Sequence, residues 1–360
     1  MNFYEENRQA FEDVEARLKA EPNNPDHYLA LGKLYIMGDM CQEAVDCYER
    51  LLRIDPLNVQ ALVNCGSIYF MAKEYEKAID FYSRAMETDS ENLSVYYNLG
   101  NAYAEVGKVN QAKDCYQKAL KLDKKDPEIY VAIALLHQDL DEYPEAITNL
   151  QRALSFDTTN PVYNSYLGIA FTKMKMFDEA IFHFKNTLKI IPDDPKTLLY
   201  CANAYSSSKK YNEANEYFEK AVEADPNFYD AYVCHAISLA DEGRINEAYE
   251  KYDKAIELNP NSSNAFVLKA NLSVSEKEYA KALDLYKKAL LAEPRNPKIY
   301  VHSGNTCVLI KDFVGAIKNY KTATEMDPDN DETKLLFYDN LCEYVNKVKN
   351  ISRERPKSAE

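Results

Sequence analysis

The chain has 360 residues, of which 46% are hydrophobic and 28% are charged, and its formal net charge is -15 at pH 7. This acidic balance argues against a nucleic-acid partner, because binding phosphate groups needs a concentrated basic stripe. No segment approaches the roughly 20 apolar residues of a membrane-spanning helix, and the charged N-terminal sequence lacks the apolar stretch of a secretory signal. We therefore expect a cytoplasmic protein with no direct membrane insertion.

The first predicted element is an isolated helix over residues 3–20. Ala10 precedes Ala44 by 34 residues, which is the period of the repeat described next. The helix therefore corresponds to the second half of a truncated repeat. We assign residues 1–24 to an N-terminal half-repeat or cap, because the ends of a repeat array need a polar outer face.

A segment of 34 residues then recurs nine times without a break from Pro25 to Asn330. The predicted repeats are 25–58, 59–92, 93–126, 127–160, 161–194, 195–228, 229–262, 263–296 and 297–330. One position of the repeat always carries a small residue, namely Gly32, Gly66, Gly100, Ala134, Gly168, Ala202, Ala236, Ala270 and Gly304. Such a period predicts one continuous array in which each repeat buries its apolar face against its neighbours.

Each repeat is predicted to form two helices. In residues 93–126, one helix face is marked at i, i+3, i+4 and i+7 by Tyr96, Leu99, Gly100 and Tyr103. The pattern breaks near Gly107, and a second helical face follows at Ala112, Cys115, Tyr116, Ala119 and Leu120. Prolines fall between repeats or in the first turn of a helix, where the missing N–H costs little. The small residues mark the positions where two helices cross closely.

The C-terminal region differs from the repeats. Residues 331–349 carry an amphipathic pattern of Leu335, Leu336, Tyr338, Leu341, Cys342 and Val345, which predicts a helix that caps the array. Residues 350–360 are polar and basic, and we predict that this tail is disordered.

The repeat resembles a known family. Tyr28-x2-Leu31-Gly32-x2-Tyr35, followed by Ala44-x3-Tyr48 and Pro56, is similar to the tetratricopeptide repeat (TPR) signature, with Tyr in place of the usual Trp. The same frame fits all nine repeats and covers roughly 85% of the chain. The resemblance implies an all-α fold, a right-handed α-α superhelical solenoid of helix-turn-helix repeats with terminal capping helices. It also implies that the first helix of each pair lines a concave groove.

Motifs for catalysis or metal binding are absent from the sequence. There is no phosphate-binding glycine-rich loop, nucleophile elbow, HExxH or kinase-like motif. The eight cysteines form no CxxC pair, and the five histidines have no metal-ligand spacing. Cys65 and Cys201 replace Leu at core positions, where a free cysteine packs as a small hydrophobic residue. We therefore expect a protein that is not an enzyme and that has no catalytic residue, metal or cofactor.

The residues that packing does not require lie on one face of the first helices, which by resemblance lines the groove. The predicted peptide-binding residues are Leu29, Lys33, Met37, Val63, Asn64, Phe70, Met71, Tyr97, Asn98, Asn101, Asn203, Asn271 and Asn305. A spaced set of side-chain amides can pair with the backbone of an extended peptide, although Asn is also common at these positions in the family. The apolar members near the N-terminus mark an interaction patch, unless the N-terminal helix folds over it.

Two groove types known in the family were compared with these positions. The clamp for the C-terminal tails of Hsp70/Hsp90 chaperones needs Lys at the fifth motif position, and no repeat has it, so this partner is rejected. The asparagine ladder of long-repeat glycosyltransferases is matched at its sixth position only by Asn64 and Asn98. Ladder-like peptide binding is therefore expected only locally.

Three functions follow from this reading. The first is a non-catalytic adaptor or scaffold that binds a partner peptide or helix in the concave groove. The second is a structural subunit of a multiprotein assembly, or a self-associating scaffold. The third, a regulatory arm of a transferase-type enzyme, rests on analogy with the family alone.

Overall fold

The computed structural model describes residues 3–354 and the side chains of residues 3–347, and this part of the chain forms helices only. The chain divides into two compact parts, Met1–Met176 and Phe177–Glu360, called here the N-terminal half and the C-terminal half. The division falls inside the predicted repeat 161–194. The single continuous array stays a prediction.

The N-terminal half contains the first eleven helices. They are α1 (Phe3–Glu6), α2 (Arg8–Ala20), α3 (Pro25–Met37), α4 (Cys41–Ile54), α5 (Val59–Met71), α6 (Tyr75–Thr88), α7 (Leu93–Glu105), α8 (Val109–Leu122), α9 (Pro127–Asp139), α10 (Tyr143–Phe156) and α11 (Pro161–Lys173). The single helix predicted over residues 3–20 is interrupted at Asn7. The Asn7 side chain donates a hydrogen bond to the Phe3 carbonyl oxygen at 3.0 Å, since short amides compete with helical backbone bonds.

The C-terminal half contains the other ten. They are α12 (Phe177–Ile190), α13 (Pro195–Ser207), α14 (Tyr211–Ala224), α15 (Tyr229–Glu242), α16 (Ile245–Leu258), α17 (Ser263–Ser275), α18 (Tyr279–Ala292), α19 (Pro297–Leu309), α20 (Phe313–Met326) and α21 (Asp331–Glu354). In each half, consecutive helices pack against one another in sequence order. The predicted all-α solenoid architecture is confirmed.

The last helix is longer than expected. We predicted that it ends at residue 349 and that a disordered tail follows, whereas α21 continues to Glu354. No proline or glycine interrupts residues 331–354, and the first residue that opposes helix is Pro356. The rest of the predicted tail, residues 355–360, lies outside the described residues.

The small residues of the repeat lie where the two helices of a pair meet. A Cβ atom added to Gly100 would lie 2.6 Å from a ring carbon of Tyr116, which is almost fully buried. The same contact joins Gly32 to Tyr48 and Gly66 to Tyr82 in the N-terminal half. A bulky aromatic ring on the second helix therefore occupies the space that glycine leaves on the first.

The first helix of most pairs begins at a side-chain cap in the last residue of the preceding repeat. The residues that accept a hydrogen bond there from a backbone N–H are Asn24, Asn58, Asn92, Asp126 and Asn160 in the N-terminal half, and Asp194 and Asn296 in the C-terminal half. Asn330 caps the terminal helix α21 in the same way. Each satisfies a backbone donor that the helix itself leaves unpaired. These caps fix the starting point of the helices that line the groove.

The turn inside each pair has its own recurrent geometry. One residue per turn has a positive φ, from 58° to 90°, in the set Asp39, Lys73, Gly107, Asp141, Lys175, Lys209, Gly243, Lys277 and Lys311. Only two of these are glycines, although this conformation is easiest for glycine. The packed helices on both sides, rather than the residue type, therefore impose the turn.

The N-terminal helices α1 and α2 extend the stack, because α2 packs against α3. Phe11 of α2 is fully buried and contacts the ring of Tyr35 with ring centroids 5.2 Å apart. In contrast, Met37 at the end of α3 is 68% exposed and Met71 at the end of α5 is 63% exposed. Met37 and Met71, two members of the predicted apolar patch near the N-terminus, are therefore accessible to solvent.

Candidate peptide-binding groove

A cavity of about 570 Å³ lies in the N-terminal half on the first helices of successive pairs. Its walls come from α5, α7, α9 and α11, with Tyr116 of α8 reaching it from behind. Short helix pairs with capped starts bring these four helices side by side. The cavity is therefore a product of the repeat and not of any one helix pair.

The cavity combines apolar and aromatic surface with carboxylates. The apolar and aromatic lining includes Phe70, Tyr97, Val131, Leu135 and Tyr166. The acidic lining residues are Glu105, Glu128 and Asp139. Among the described residues that line it there is no lysine, arginine or histidine. The electrostatic potential inside it is consequently negative.

One of the carboxylates is held by a buried tyrosine. The hydroxyl of Tyr163 donates a hydrogen bond to Glu128 Oε1 at 2.6 Å, and Tyr163 is only 4% exposed. Burial and the adjacent carboxylate both raise the pKa of the Tyr163 hydroxyl. Glu128 is thus kept in a defined orientation at the cavity wall, and the residue is exposed.

A second carboxylate has a similar neighbour. Partial burial and a hydrogen bond to Glu105 raise the pKa of the Tyr75 hydroxyl. Glu105 is the last residue of α7 and Asp139 is the last residue of α9, and both are exposed. Carboxylates at the C-terminal end of a helix interact unfavourably with the helix dipole. Helix stabilisation therefore does not explain the presence of Glu105 and Asp139 at these positions.

Asn101 connects the core to the cavity. The hydroxyl of Tyr116 donates to Asn101 Oδ1 at 2.7 Å. Burial raises the pKa of Tyr97, and a hydrogen bond from Asn101 opposes this rise. The amide therefore bridges a core tyrosine and a tyrosine that lines the cavity. Its role here is to position Tyr97.

The same bond recurs in the C-terminal half. Tyr286 donates to Asn271 at 2.6 Å and Tyr320 donates to Asn305 at 2.7 Å. In both pairs the residues are 15 apart. The recurrence of asparagine at this position therefore has a packing explanation, which the sequence reasoning did not include.

The structure brings together some of the predicted groove residues and leaves others apart. Phe70, Tyr97 and Asn101 line the cavity. Leu29 and Val63 are half-buried and pack against the core of the first helix pairs, and Asn64 Oδ1 accepts a hydrogen bond from Gln60 Nε2 at 3.2 Å. Lys33, Met37 and Met71 are exposed at the ends or on the surface of α3 and α5, and Asn98 is half-buried on α7. Asn203, Asn271 and Asn305 belong to α13, α17 and α19 of the C-terminal half.

Sequence reasoning missed the acidic character of the cavity. Glu105 and Asp139 occupy the thirteenth position of their repeats and Glu128 the second, and both positions were assigned to the groove face. Counting charges at these positions would have shown three carboxylates and no cation in residues 93–160. Tyr163 lies at a core position, and no sequence signal identifies its bond to Glu128.

Among the described residues, two buried cysteines are held as thiols and no cluster of potential metal ligands forms. All eight cysteines are free, and burial raises the pKa of Cys65 and of Cys201 to about 12, so that neither is a thiolate near neutral pH. Within residues 3–354 there is no cluster of three or more potential metal ligands from His, Cys, Asp and Glu. No helix in that range is both long enough and apolar enough to cross a membrane.

Family models for the tetratricopeptide repeat match residues 94–126, 127–160 and 171–233, and one for the TPR repeat matches residues 66–107. The chain belongs to the tetratricopeptide repeat family. The members of this family are typically non-enzymatic interaction modules, and this chain is in that general sense a protein-interaction scaffold. A further model, described as anaphase-promoting complex, cyclosome, subunit 3, matches residues 211–289.

One solved structure supports the fold. The chain is similar to a tetratricopeptide repeat protein from Parabacteroides merdae, with 18% identity, coverage of 74% of this chain and 99% of that one, and a TM-score of 0.52. The MamA protein is 26% identical over 47% of this chain and 92% of its own, with a TM-score of 0.43. A search of curated proteins gave no match.

Proposed function

We propose that the protein is a non-catalytic scaffold that binds an extended segment of a partner protein in the cavity of its N-terminal half. The cavity carries this proposal, because it is concave, spans four helices and joins half-buried aromatic side chains to oriented polar groups. These features are typical of peptide and ligand sites. A cytoplasmic location, and a function that needs no cofactor, stay predictions.

The proposal is tested with a synthetic library of short, acetylated and amidated peptides, selected on the immobilised full chain. We expect enrichment of a peptide family that binds in fluorescence polarisation. The substitutions Tyr97→Ala and Tyr166→Ala together should weaken that binding at least about tenfold, because buried aromatic contacts carry much of the affinity of an interface. Peptide enrichment should survive Tyr130→Ala, which removes a tyrosine of α9 that does not line the cavity.

Two results count against groove binding. One is a library that yields no binder for the wild-type chain. The other is a selected peptide that binds the Tyr97→Ala/Tyr166→Ala variant as tightly as the wild type. Far-UV circular dichroism of each variant checks that the helices are retained, so that a loss of binding is not a loss of fold.

A second function, a self-associating or assembly subunit, is favoured by α21. Leu336 and Phe337 of this helix pack against the cluster around Tyr320. Leu335 and Tyr338 are 61% and 59% exposed on the opposite side. A helix with apolar residues on both faces is usually covered on both. The match to a model named for a subunit of a multiprotein complex supports the same function.

We expect a second copy of the chain to cover this outer face. Multi-angle light scattering of the full chain should then show a mass that rises with concentration. Leu335→Lys/Tyr338→Lys should give a monomer, because two lysine side chains placed in an apolar contact would lose their hydration. Glu332→Lys, on the same helix, serves as the control and should still associate. A wild-type monomer at every concentration would remove this function from consideration.

A further inference from the structure

We propose that the segment bound in the cavity of the N-terminal half carries a basic side chain, arginine or lysine, that is held between the carboxylates and the aromatic rings. This inference rests on the proposed groove binding and adds the chemistry of the occupant. It identifies the partner as a protein with an extended basic segment.

The first argument is charge complementarity. Glu105, Glu128 and Asp139 face one cavity, and no cation among the lining residues neutralises them. The ion pairs present in the N-terminal half lie elsewhere, as in the pair of Lys113 and Glu142 at 3.6 Å. An acidic or phosphorylated segment would meet repulsion from all three carboxylates, whereas a cation is attracted to each.

The second argument is the aromatic surface beside the carboxylates. The rings of Phe70, Tyr97 and Tyr166 line the same cavity, and the hydroxyl of Tyr97 is positioned by Asn101. A guanidinium or ammonium group binds favourably over such rings, and its aliphatic stem packs against apolar side chains. Val131 and Leu135 supply that apolar surface. A cavity for a neutral apolar side chain would not need the carboxylates.

The chain contains this arrangement at several places within its own fold, for example at Lys77, Lys220 and Lys281. In the C-terminal half, Lys281 Nζ lies 3.6 Å from the ring centroid of Tyr249 and 2.8 Å from Glu278 Oε2. A lysine is therefore held between a tyrosine ring and a carboxylate. The cavity offers the same two components without the cation, which the partner supplies.

The test uses the same peptide library on three forms of the full chain. The groove variant is Glu105→Gln/Asp139→Asn. The control variant is Glu87→Gln/Asp114→Asn, which changes two exposed carboxylates of α6 and α8 outside the cavity and leaves an identical net charge. The control separates a specific effect from the general attraction of basic peptides to an acidic protein.

We expect the wild type and the control to select peptides with arginine or lysine at one fixed position. The groove variant should bind these peptides about tenfold more weakly, with a smaller dependence on salt, because two attractive charges are lost. Selected peptides without a basic residue would overturn this inference while leaving groove binding intact. A wild type that selects nothing would overturn both. Equal loss of binding in the control would show a nonspecific charge effect and reject the inference.

Discussion

Lowering the pH from 7 to 5 is expected to cost about 2 kcal/mol of stability at His235, and His235→Leu is expected to abolish this loss. His235 lies on α15, is 2% exposed and stacks on the ring of Phe218 with centroids 4.9 Å apart. Its Nδ1 atom has no hydrogen-bond partner among the described residues. Charging this ring inside the folded chain is therefore unfavourable.

The sign follows from the pKa. Burial first, and the nearby charges of Lys251 and Arg244 second, lower the pKa of His235 from 6.5 to about 3. The unfolded chain binds a proton near pH 6.5, whereas the folded chain does not until the pH is far lower. The contribution of His235 to the free energy of unfolding is fully present above pH 6.5 and is lost as the pH falls toward 3. Leucine occupies the same position in other repeats, at Leu31, Leu99 and Leu167.

Urea unfolding at pH 7 and pH 5, followed by circular dichroism, measures this difference. The carboxylates titrate alike in the wild type and in the variants. Their contribution to the change in the free energy of unfolding therefore cancels when the proteins are compared. Ser238→Ala is the matched control, because it changes a buried residue on the same helix without changing a titratable group. If His235→Leu loses as much stability as the wild type between the two pH values, the ring is not buried in its neutral form.

Gly100→Leu is expected to destabilise the chain by about 3 kcal/mol, which is a larger cost than that of any surface substitution. The added side chain would begin 2.6 Å from the Tyr116 ring. That ring is held in place by the hydrogen bond of its hydroxyl to Asn101. Helix propensity alone would favour leucine over glycine by a fraction of this amount, so the sign of the result separates packing from propensity.

Gly100→Ala should cost much less, because the corresponding pair Ala236 and Tyr252 is accommodated in the C-terminal half. The double substitution Gly100→Leu/Tyr116→Ala should recover part of the loss by exchanging the volumes. Ser94→Leu, at an exposed position of the same helix, is the control for a general effect of leucine. Thermal unfolding of the four variants is the measurement. If Gly100→Leu melted at the same temperature as the wild type, the close contact between position 100 and the Tyr116 ring would be contradicted.

The sequence was sufficient for the helix pairs and for the all-α repeat fold. Because the repeat has a period of 34 residues, the position of Gly100 and the position of Tyr116 recur in every repeat. The pairing of these two positions within a repeat can be predicted without knowledge of long-range packing. The cavity was predicted less well. Asparagine was interpreted as a ligand group, but the bond from Tyr116 to Asn101 depends on how two helices cross, which residue spacing does not give. The bond between Tyr163 and Glu128 joins different repeats and was invisible for the same reason.

The ends of the chain show the other limit. The repeat signature stops at Asn330, and beyond it only local propensity was available. Propensity predicted a helix there but placed its end too early. The exposure of Leu335 and Tyr338 on the outer side of this helix was not predicted. Which of two apolar faces is covered is decided by the preceding helix α20, and an amphipathic pattern alone does not contain that information.

The side-chain caps have a consequence for how this kind of chain changes over evolutionary time. The residue that starts each groove helix belongs to the end of the repeat before it, as Asn92 starts α7 and Asp126 starts α9. A duplication or deletion of one whole repeat therefore adds or removes one helix start and one cap, and every remaining cap still lies directly before a helix start. Groove length is then a property that a lineage can alter in steps of one repeat, without leaving a helix start unsatisfied.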